Sequence, residues 1–257
     1  MAGPEDFLDL ALRLADAAAP IVKRHFRSGA QIVDKADLSP VTIADRDSEA
    51  AMRELLAKHA PDHGVLGEEW GAEHIDAEYV WVLDPIDGTK SFVTGKPLFG
   101  TLISLTHRGR PVIGIIDQAV LGERWVGVAG KPTTFNGQPI RTRACTSLAE
   151  AWLYATTPQM FEGDDETAYR RLAAAVKFPL YGADCYAYGM LAAGWTDLVC
   201  EASLKPYDWC ALVPVVDGAG GRITDWDGRP LTIEPVGRVL AAGDAALHAQ
   251  ALKLLNG

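Results

Sequence analysis

Two periodicities divide the chain, and together they restrict its fold more than any other feature. Between residues 79 and 128, β-rich runs at 80–83, 98–106, 112–116 and 124–128 are separated by turn residues such as Gly109-Arg110-Pro111. This pattern predicts a meander of mostly antiparallel strands. From residue 150 onward, short strand patterns alternate with helical ones, which indicates a layered α/β (α+β) architecture.

Helical spacing of apolar residues predicts two helices near the N-terminus, at 5–26 and 45–59. In the second half, the predicted strands are 152–155, 178–181, 198–201, 222–224 and 239–242. The predicted helices there are 167–177, 185–193, 208–219 and 244–255. Pro214 should kink the 208–219 helix or shorten its first segment, because proline cannot continue the hydrogen-bond pattern of a helix.

The charge balance argues against one class of function. The 257 residues include 24 Lys and Arg against 34 Asp and Glu, a net charge of −10, and no cationic stripe for nucleic acid is visible. No apolar run reaches the ~20 residues that span a bilayer, and the start of the sequence lacks a signal-peptide pattern. We therefore expect a cytoplasmic protein with no nucleic-acid or membrane partner. The four cysteines form no Cys-x-x-Cys pair and are expected as buried thiols.

The strongest chemical signal lies in residues 81–89, which read WVLDPIDGT. An apolar strand ends there in two carboxylates, and α/β folds bind ligands at the carboxyl ends of strands. Pro85 fixes one backbone angle and Gly88 permits a tight turn. Asp84 and Asp87 can therefore converge while the Ile86 carbonyl turns inward, and converging oxygens suit Mg²⁺. A helix beginning just after Gly88 would receive a phosphate beside that metal.

Two further acidic positions fit the same plan. Glu68 lies in Gly67-Glu68-Glu69, after a helix and a loop, and Asp208 lies at the predicted start of the late helix. Four carboxylates can hold two or more hard cations. Glu68 or Asp208 alone could equally be a solvated surface acid, which is the usual situation of such residues. Asp84 and Asp87 differ because they end an apolar strand.

Four motifs follow one another along most of the chain. They are Thr42-Ile43-Ala44-Asp45, Gly67-Glu68-Glu69, Asp84-Pro85-Ile86-Asp87-Gly88-Thr89, and Lys205-Pro206-Tyr207-Asp208 followed by Gly218-Ala219-Gly220-Gly221. Their content and order resemble the inositol monophosphatase superfamily of magnesium-dependent phosphomonoesterases. The resemblance implies the αβαβα sandwich of inositol monophosphatases and sugar phosphatases. It also implies an N-terminal subdomain at 1–140, a C-terminal subdomain at 141–257 in one compact unit, and a homodimer.

The resemblance also implies a role for each matching residue. The metal ligands would be Glu68, Asp84, Asp87, Asp208 and the carbonyl of Ile86, around two or three Mg²⁺ ions. The catalytic residues would be Asp45, Thr89 and Glu68, with Asp45 as the partner of the Thr89 hydroxyl, and Gly88 and Thr89 would bind the phosphate. A carboxylate that fixes a hydroxyl can orient a water, and a metal lowers that water's pKa. Lys35 corresponds to a position near the metals in relatives, and an exposed ion-paired lysine is an equal interpretation.

Acidic residues left over from the metal set indicate the substrate. Asp184 precedes a predicted helix and Glu201 ends a predicted strand, and spare carboxylates favour a phosphomonoester with a positive group. The segments around Asp184, Asp208 and 97–103 resemble the histidinol-phosphate phosphatase branch of histidine biosynthesis, whose substrate carries an ammonium and an imidazole. Asp184 and Glu201 would bind these groups, with Thr101 along the same wall. The alternatives are that Asp184 is only a helix N-cap, and that the chain is an inositol-1-monophosphatase or a broad sugar or polyol phosphatase.

Other phosphatase and nucleotide-binding classes fail on spacing. The haloacid-dehalogenase pattern would place its nucleophilic Asp at Pro85, and neither a Gly-x-Ser-x-Gly elbow nor a P-loop occurs. His59 and His63 flank a proline and are expected at the surface instead of on zinc, while Trp195 and Trp209 are expected in the core. A non-catalytic metal or phosphate sensor on the same fold stays open as a function of another class.

Overall fold

The structure, a computed structural model, describes residues 3–29, 32–34 and 40–257. Its first ten strands are β1 (Ile32–Asp34), β2 (Pro40–Thr42), β3 (Gly64–Gly67), β4 (Gly71–Glu73), β5 (Tyr79–Asp87), β6 (Gly100–His107), β7 (Arg110–Gln118), β8 (Glu123–Val128), β9 (Thr134–Phe135) and β10 (Gln138–Pro139). β1 and β2 pair with each other, and the other eight form one sheet in the order β10-β9-β8-β7-β6-β5-β3-β4. β5 to β8 are joined as successive antiparallel pairs, which confirms the predicted meander.

β3 and β4 are strands that the sequence analysis did not predict. β3 is only four residues long and has a glycine at each end, so it lacks the β-branched run that marks a strand. It pairs in parallel with β5, from Gly64 opposite Val80 to Gly67 opposite Leu83. Glu68 therefore follows directly on a strand, and the expectation that it follows a helix and loop is wrong.

The second sheet has five strands in the described residues, β11 (Trp152–Ala155), β12 (Phe178–Tyr181), β13 (Leu198–Glu201), β14 (Arg222–Thr224) and β15 (Val239–Ala242). Their order is β12-β11-β13-β15-β14, with β12, β11 and β13 parallel and the last two strands antiparallel to their neighbours. All five ranges agree with the sequence prediction. The two sheets thus use separate stretches of chain, while the division into subdomains at residue 140 stays a prediction.

The α-helices of the described residues are α1 (Leu8–His25), α2 (Ile43–His59), α3 (Thr89–Val93), α4 (Asp164–Ala175), α5 (Tyr186–Ala192), α6 (Pro206–Trp209), α7 (Leu212–Gly218) and α8 (Ala245–Leu255). The single helix predicted at 208–219 is therefore two helices, α6 and α7. Pro214 lies in the first turn of α7, where its missing N–H leaves no hydrogen bond unmade. The two helices are joined by Cys210 and Ala211, whose backbone angles are themselves helical.

Three apolar interfaces stack these elements into five layers. α1 and α2 cover one face of the first sheet, with Leu14 packed near Trp81 and Ile103. α5 and α7 lie between the sheets, where Trp125 and Val199 belong to the same buried cluster. α4 and α8 cover the outer face of the second sheet. The order helix, sheet, helix, sheet, helix confirms the predicted αβαβα sandwich.

The structure also shows how far two tryptophans and one histidine are buried. Trp209 is fully buried, but Trp195 is 50% exposed, so its core placement is wrong. His63 is partly buried, stacks on Tyr79 and accepts a hydrogen bond from Trp81 Nε1 at 3.1 Å, so it is not a surface histidine. Among the described residues, every helix is too short or too polar to cross a bilayer. Lys35 and the loop around it fall outside the described residues.

Candidate active site

The carboxyl ends of β3 and β5 lie side by side because the two strands are parallel neighbours. Gly67 is opposite Leu83, and the N–H of Glu68 donates to the Leu83 carbonyl at 3.1 Å. Glu68 and Asp84, which follow these residues, therefore begin at the same edge of the sheet. The two side chains are within hydrogen-bonding reach of each other, since this contact helps to raise the pKa of Asp84.

A bulge in β5 brings the second carboxylate to this edge. The pairing of β5 with β6 runs regularly to Asp84 and resumes only at Asp87, which leaves Pro85 and Ile86 out of register. The N–H of Ile86 donates to Asp84 Oδ1 at 3.0 Å. This local bond holds the bulge in shape, and the two carboxylates thus leave the strand on either side of it.

Thr101, on the neighbouring strand β6, holds the bulge in place. Its side chain is buried, and its hydroxyl donates to the Pro85 carbonyl at 2.8 Å. The placement of Thr101 on a substrate-facing wall stays a prediction, and the structure gives its hydroxyl a supporting role under the bulge. A buried hydroxyl needs a partner, and the carbonyl exposed by the bulge supplies one.

α6 adds a carboxylate from a distant part of the chain. The N–H of Lys205 donates to Asp208 Oδ2 at 2.6 Å, which closes the first turn of α6 and fixes the Asp208 side chain. Asp84, Asp87 and Asp208 each offer an oxygen within 4.8 Å of the others. The structure therefore brings three of the four predicted carboxylate ligands to one point, with Glu68 beside Asp84.

These carboxylates repel one another in a poorly solvated place. The pKa values of Asp84 and Asp87 are raised well above the ordinary range, first by burial and then by neighbouring carboxylates, and the pKa of Asp208 is raised to about 8, chiefly by burial. A bound cation would offset both effects, because it replaces the lost hydration and neutralises the charge. Oxygen-only donors of this kind fit a hard divalent ion.

Gly88 and Thr89 form the turn beyond the bulge. Gly88 is the N-cap of α3 with φ +86°, in the left-handed region, and a Cβ there would lie 2.9 Å from Asp184 Cγ. Both facts require glycine. The Thr89 hydroxyl donates to the Ile86 carbonyl at 3.1 Å, so the predicted main-chain ligand is already a hydrogen-bond acceptor.

Asp45 lies in the first turn of α2 and does not pair with Thr89. Its Oδ2 accepts the N–H and the hydroxyl of Thr42, at 2.9 and 2.6 Å, in a capping box. The expected Asp45–Thr89 contact is therefore absent between these two described residues, because each has a nearer partner in its own turn. Asp45 Oδ1 is buried and accepts no hydrogen bond from a described residue. Burial raises the pKa of Asp45 to about 6.

Asp184 belongs to the second half of the chain but faces this site. Its Oδ2 accepts the Ser91 hydroxyl at 2.8 Å, and burial raises its pKa. The described residues include no side-chain cap for α5, so the interpretation of Asp184 as a simple N-cap is wrong. The next residue, Cys185, donates its N–H to Asp87 Oδ2 at 2.6 Å.

Glu201, like Asp184, is an acidic residue with a raised pKa, but it has different hydrogen-bond partners. Its Oε1 accepts the N–H and hydroxyl of Thr156 at 3.0 and 2.6 Å, and its Oε2 accepts the Tyr188 hydroxyl at 2.9 Å. The carboxylate is buried, with a pKa raised to about 7 mainly by burial. Both oxygens accept hydrogen bonds from the protein, and the contact of Glu201 with a substrate stays a prediction.

Sequence reasoning missed Glu49, which lies one turn after Asp45 in α2 and is fully buried. It accepts the backbone N–H of Glu69 at 2.8 Å and that of Trp70 at 3.3 Å, immediately after Glu68. The available signal was an acidic residue four positions after Asp45, on the buried face of a helix.

Comparison with known proteins shows which family the sequence is similar to. The sequence model of the inositol monophosphatase family matches residues 4–257. A relative is the chloroplastic bifunctional phosphatase IMPL2 of Arabidopsis thaliana, 52% identical over 95% of this chain and 73% of its own length. A histidinol-phosphatase of Mycobacterium tuberculosis is 34% identical over 98% of both chains.

The solved structures give the same answer for the fold. An inositol monophosphatase from Zymomonas mobilis superimposes with a TM-score of 0.92, at 48% identity and with full coverage of both chains. Its match extends through both sheets, and the family model extends through every segment that contributes an acidic residue to the site. The chain therefore belongs to the inositol monophosphatase family.

Proposed function

We propose that this phosphatase of the inositol monophosphatase type is an Mg²⁺-dependent hydrolase that converts L-histidinol phosphate to L-histidinol and phosphate. The phosphatase chemistry rests on the convergence of Asp84, Asp87 and Asp208 on one point. The choice of substrate rests on Asp184, a further acidic side chain at the same site. The reaction belongs to histidine biosynthesis.

The proposed metal ligands are the carboxylates of Glu68, Asp84, Asp87 and Asp208 and the carbonyl of Ile86. They supply only hard oxygens, which favours Mg²⁺, and their number suits two or three ions. When bound, the ions supply charge neutralisation on the phosphoryl group and lower the pKa of a coordinated water.

The residues of the chain then bind the phosphate and accept a proton. The backbone N–H groups of Gly88 and Thr89 lie at the turn that begins α3 and are the proposed phosphate donors. Asp45 Oδ1 is buried and accepts no hydrogen bond from a described residue, so it can accept the proton of an attacking water. With a pKa of about 6, the Asp45 carboxylate is a suitable general base near neutral pH.

Asp184 supports a substrate with a positive group. An all-anionic phosphoester would be repelled by its charge, whereas an ammonium or imidazolium would pair with it. The relative from Mycobacterium tuberculosis supports the same substrate, because it is named a histidinol-phosphatase. The alternative is an inositol-1-monophosphatase or a broad sugar or polyol phosphatase, which the name of the Zymomonas structure favours.

Phosphate release from L-histidinol phosphate and from inositol 1-phosphate, each with Mg²⁺ and with EDTA, tests the proposal. We expect kcat/KM to be at least about tenfold higher for histidinol phosphate, a difference of about 1.4 kcal/mol, and EDTA to stop both reactions. Faster turnover of inositol 1-phosphate would support the alternative. If Mg²⁺ still binds but neither these esters nor a panel of sugar and polyol phosphates is hydrolysed, the result would favour a sensor of metal or phosphate.

The homodimer is proposed on the edge strand β12. Phe178 and Tyr181 are 45% and 43% exposed, and Trp152, at 39%, packs on Phe178 with ring centroids 4.9 Å apart. An exposed aromatic edge of this kind pairs readily with a second copy. Sedimentation velocity should show a dimer for the wild type and a monomer for Phe178→Glu, with Leu121→Glu, at an exposed position elsewhere, as the control. A monomeric wild type would contradict the proposed homodimer.

The cytoplasmic location of the protein stays a prediction.

A further inference from the structure

A buried carboxylate in α2 controls the backbone that carries Glu68. Glu49 is completely buried, and a buried charge is stable only when donors surround it. Its donors are the N–H groups of Glu69 and Trp70 and Nε of Arg53, the last at 2.8 Å. Two of these three donors belong to the residues that immediately follow Glu68.

The residue before Glu68 is in equally close contact with the same group. A Cβ on Gly67 would overlap the carboxylate of Glu49, so the end of β3 lies directly against it. Any larger side chain at this position would displace either Glu49 or the strand. The backbone on both sides of Glu68 thus depends on one carboxylate.

Arg53 extends this contact to the far end of the turn. Besides binding Glu49, it donates from its two terminal nitrogens to the Gly71 carbonyl and to Glu73, the latter at 2.9 Å. The turn between β3 and β4 is therefore fixed at its beginning by Glu49 and at its end by Arg53. Since Glu68 also donates its N–H to Leu83, next to Asp84, little freedom remains in the separation of the two acids.

We infer that Glu49 is a positioning residue: through the amides of Glu69 and Trp70 it sets Glu68 against Asp84 for divalent-cation binding. The inference rests on the proposed metal site and assigns Glu49 no contact with the substrate. The role differs from general support of the fold, because the hydrogen bonds of Glu49 end on the backbone of the ligand turn. Outer partners of this kind typically change metal affinity by roughly 10- to 100-fold when they are lost.

The test is calorimetric titration of Mn²⁺ into wild-type protein and Glu49→Gln, without substrate. Glutamine keeps the size of the side chain but turns an NH₂ group toward one of three donors, so one contact is lost. We expect Mn²⁺ affinity to fall at least about tenfold, and half-maximal Mg²⁺ activation to move to higher concentration by a similar factor. Glu54→Gln is the matched control, because Glu54 is an exposed acid on the same helix.

Arg53→Lys provides a second, milder variant should Glu49→Gln fail to fold. Lysine keeps a positive charge for Glu49 but cannot reach Gly71 and Glu73 together, so we expect an intermediate loss of Mn²⁺ affinity. Wild-type affinity in folded Glu49→Gln, or in Arg53→Lys when the first variant is unfolded, would overturn the inference. A wild type that binds no divalent ion would instead overturn the proposed function.

Discussion

Asp84 and Glu201 are both buried carboxylates at the ends of central strands, yet their surroundings are opposite. Glu201 accepts three hydrogen bonds, from Thr156 and Tyr188. Asp84 accepts one N–H, from Ile86, and otherwise faces the carboxylates of Glu68, Asp87 and Asp208. Burial raises the pKa of both groups. After burial, repulsion by neighbouring carboxylates is the largest cause of the raised pKa of Asp84, but not of Glu201.

The difference separates two uses of a buried acid. A carboxylate surrounded by protein donors is already satisfied and holds the fold together, as Glu201 does for β11 and α5. A carboxylate surrounded by other carboxylates is stable in its charged form only with a cation from outside the chain. The number and source of hydrogen-bond donors therefore identify the ligand site better than burial or the pKa alone.

The largest expected effect follows from removing one charge of the acidic cluster. Asp87→Asn should lower kcat with Mg²⁺ by roughly a thousandfold, about 4 kcal/mol in activation free energy, because the proposed metal site loses a ligand. The amide oxygen can still accept the N–H of Cys185, so the fold should persist. Single-substrate kinetics and thermal melting measure the two properties. Unchanged turnover would contradict the proposed site.

Glu201→Gln tests the opposite kind of acid. The pKa of Glu201 is about 7 in the folded protein against an ordinary 4.5, so folding favours its protonated form and its ionisation reduces stability as pH rises from 4.5 through 7. The neutral variant lacks this loss. Relative to wild type, its free energy of unfolding should therefore gain on the order of 3 kcal/mol between pH 5 and pH 8.

Urea unfolding at the two pH values measures this gain for Glu201→Gln. Glu54→Gln, at an exposed position of α2, is the control for the general effect of removing one acidic charge. A variant of Glu201 with the same pH dependence as wild type would mean that Glu201 does not differ from an ordinary solvated acid.

Asp184→Asn tests whether this carboxylate recognises a positive group on the substrate. Asparagine keeps an acceptor for Ser91 but removes the negative charge. KM for histidinol phosphate should rise roughly tenfold, about 1.4 kcal/mol, while KM for inositol 1-phosphate should stay the same or fall. Equal changes for the two esters would contradict a role in recognising a positive group.

Thr101→Val has the smallest expected effect and decides between the two placements of this residue. The loss of the hydrogen bond to Pro85 should cost about 1 kcal/mol of stability and reduce kcat several-fold, because the bulge between Asp84 and Asp87 loosens. Thr106→Val is a matched control, since that buried hydroxyl donates to Val80 on the same strand pair. The control should lose similar stability without the loss of kcat. A higher KM for Thr101→Val without any loss of stability would support the substrate-wall placement.

Strand patterns and the order of motifs along the sequence were enough to predict much of the fold. Contacts between individual side chains could not be predicted in this way. The meander, the second sheet and the grouping of Asp84, Asp87 and Asp208 all follow from periodicity and motif position. β3 was missed because four residues bounded by glycines have little intrinsic strand preference. Thr101 and Glu201 are predicted near the substrate from the family resemblance and from acidic residues left over from the metal set, whereas their hydrogen-bond partners become visible only in the folded chain.

The hydrogen bond from the Cys185 N–H to Asp87 joins groups 98 residues apart in the chain. During translation, Asp84 and Asp87 are synthesised well before Cys185 and Asp208. A growing chain therefore lacks the third carboxylate of the cluster until Asp208 has been synthesised. The cluster is complete only when α6, from the second half of the chain, packs against β5.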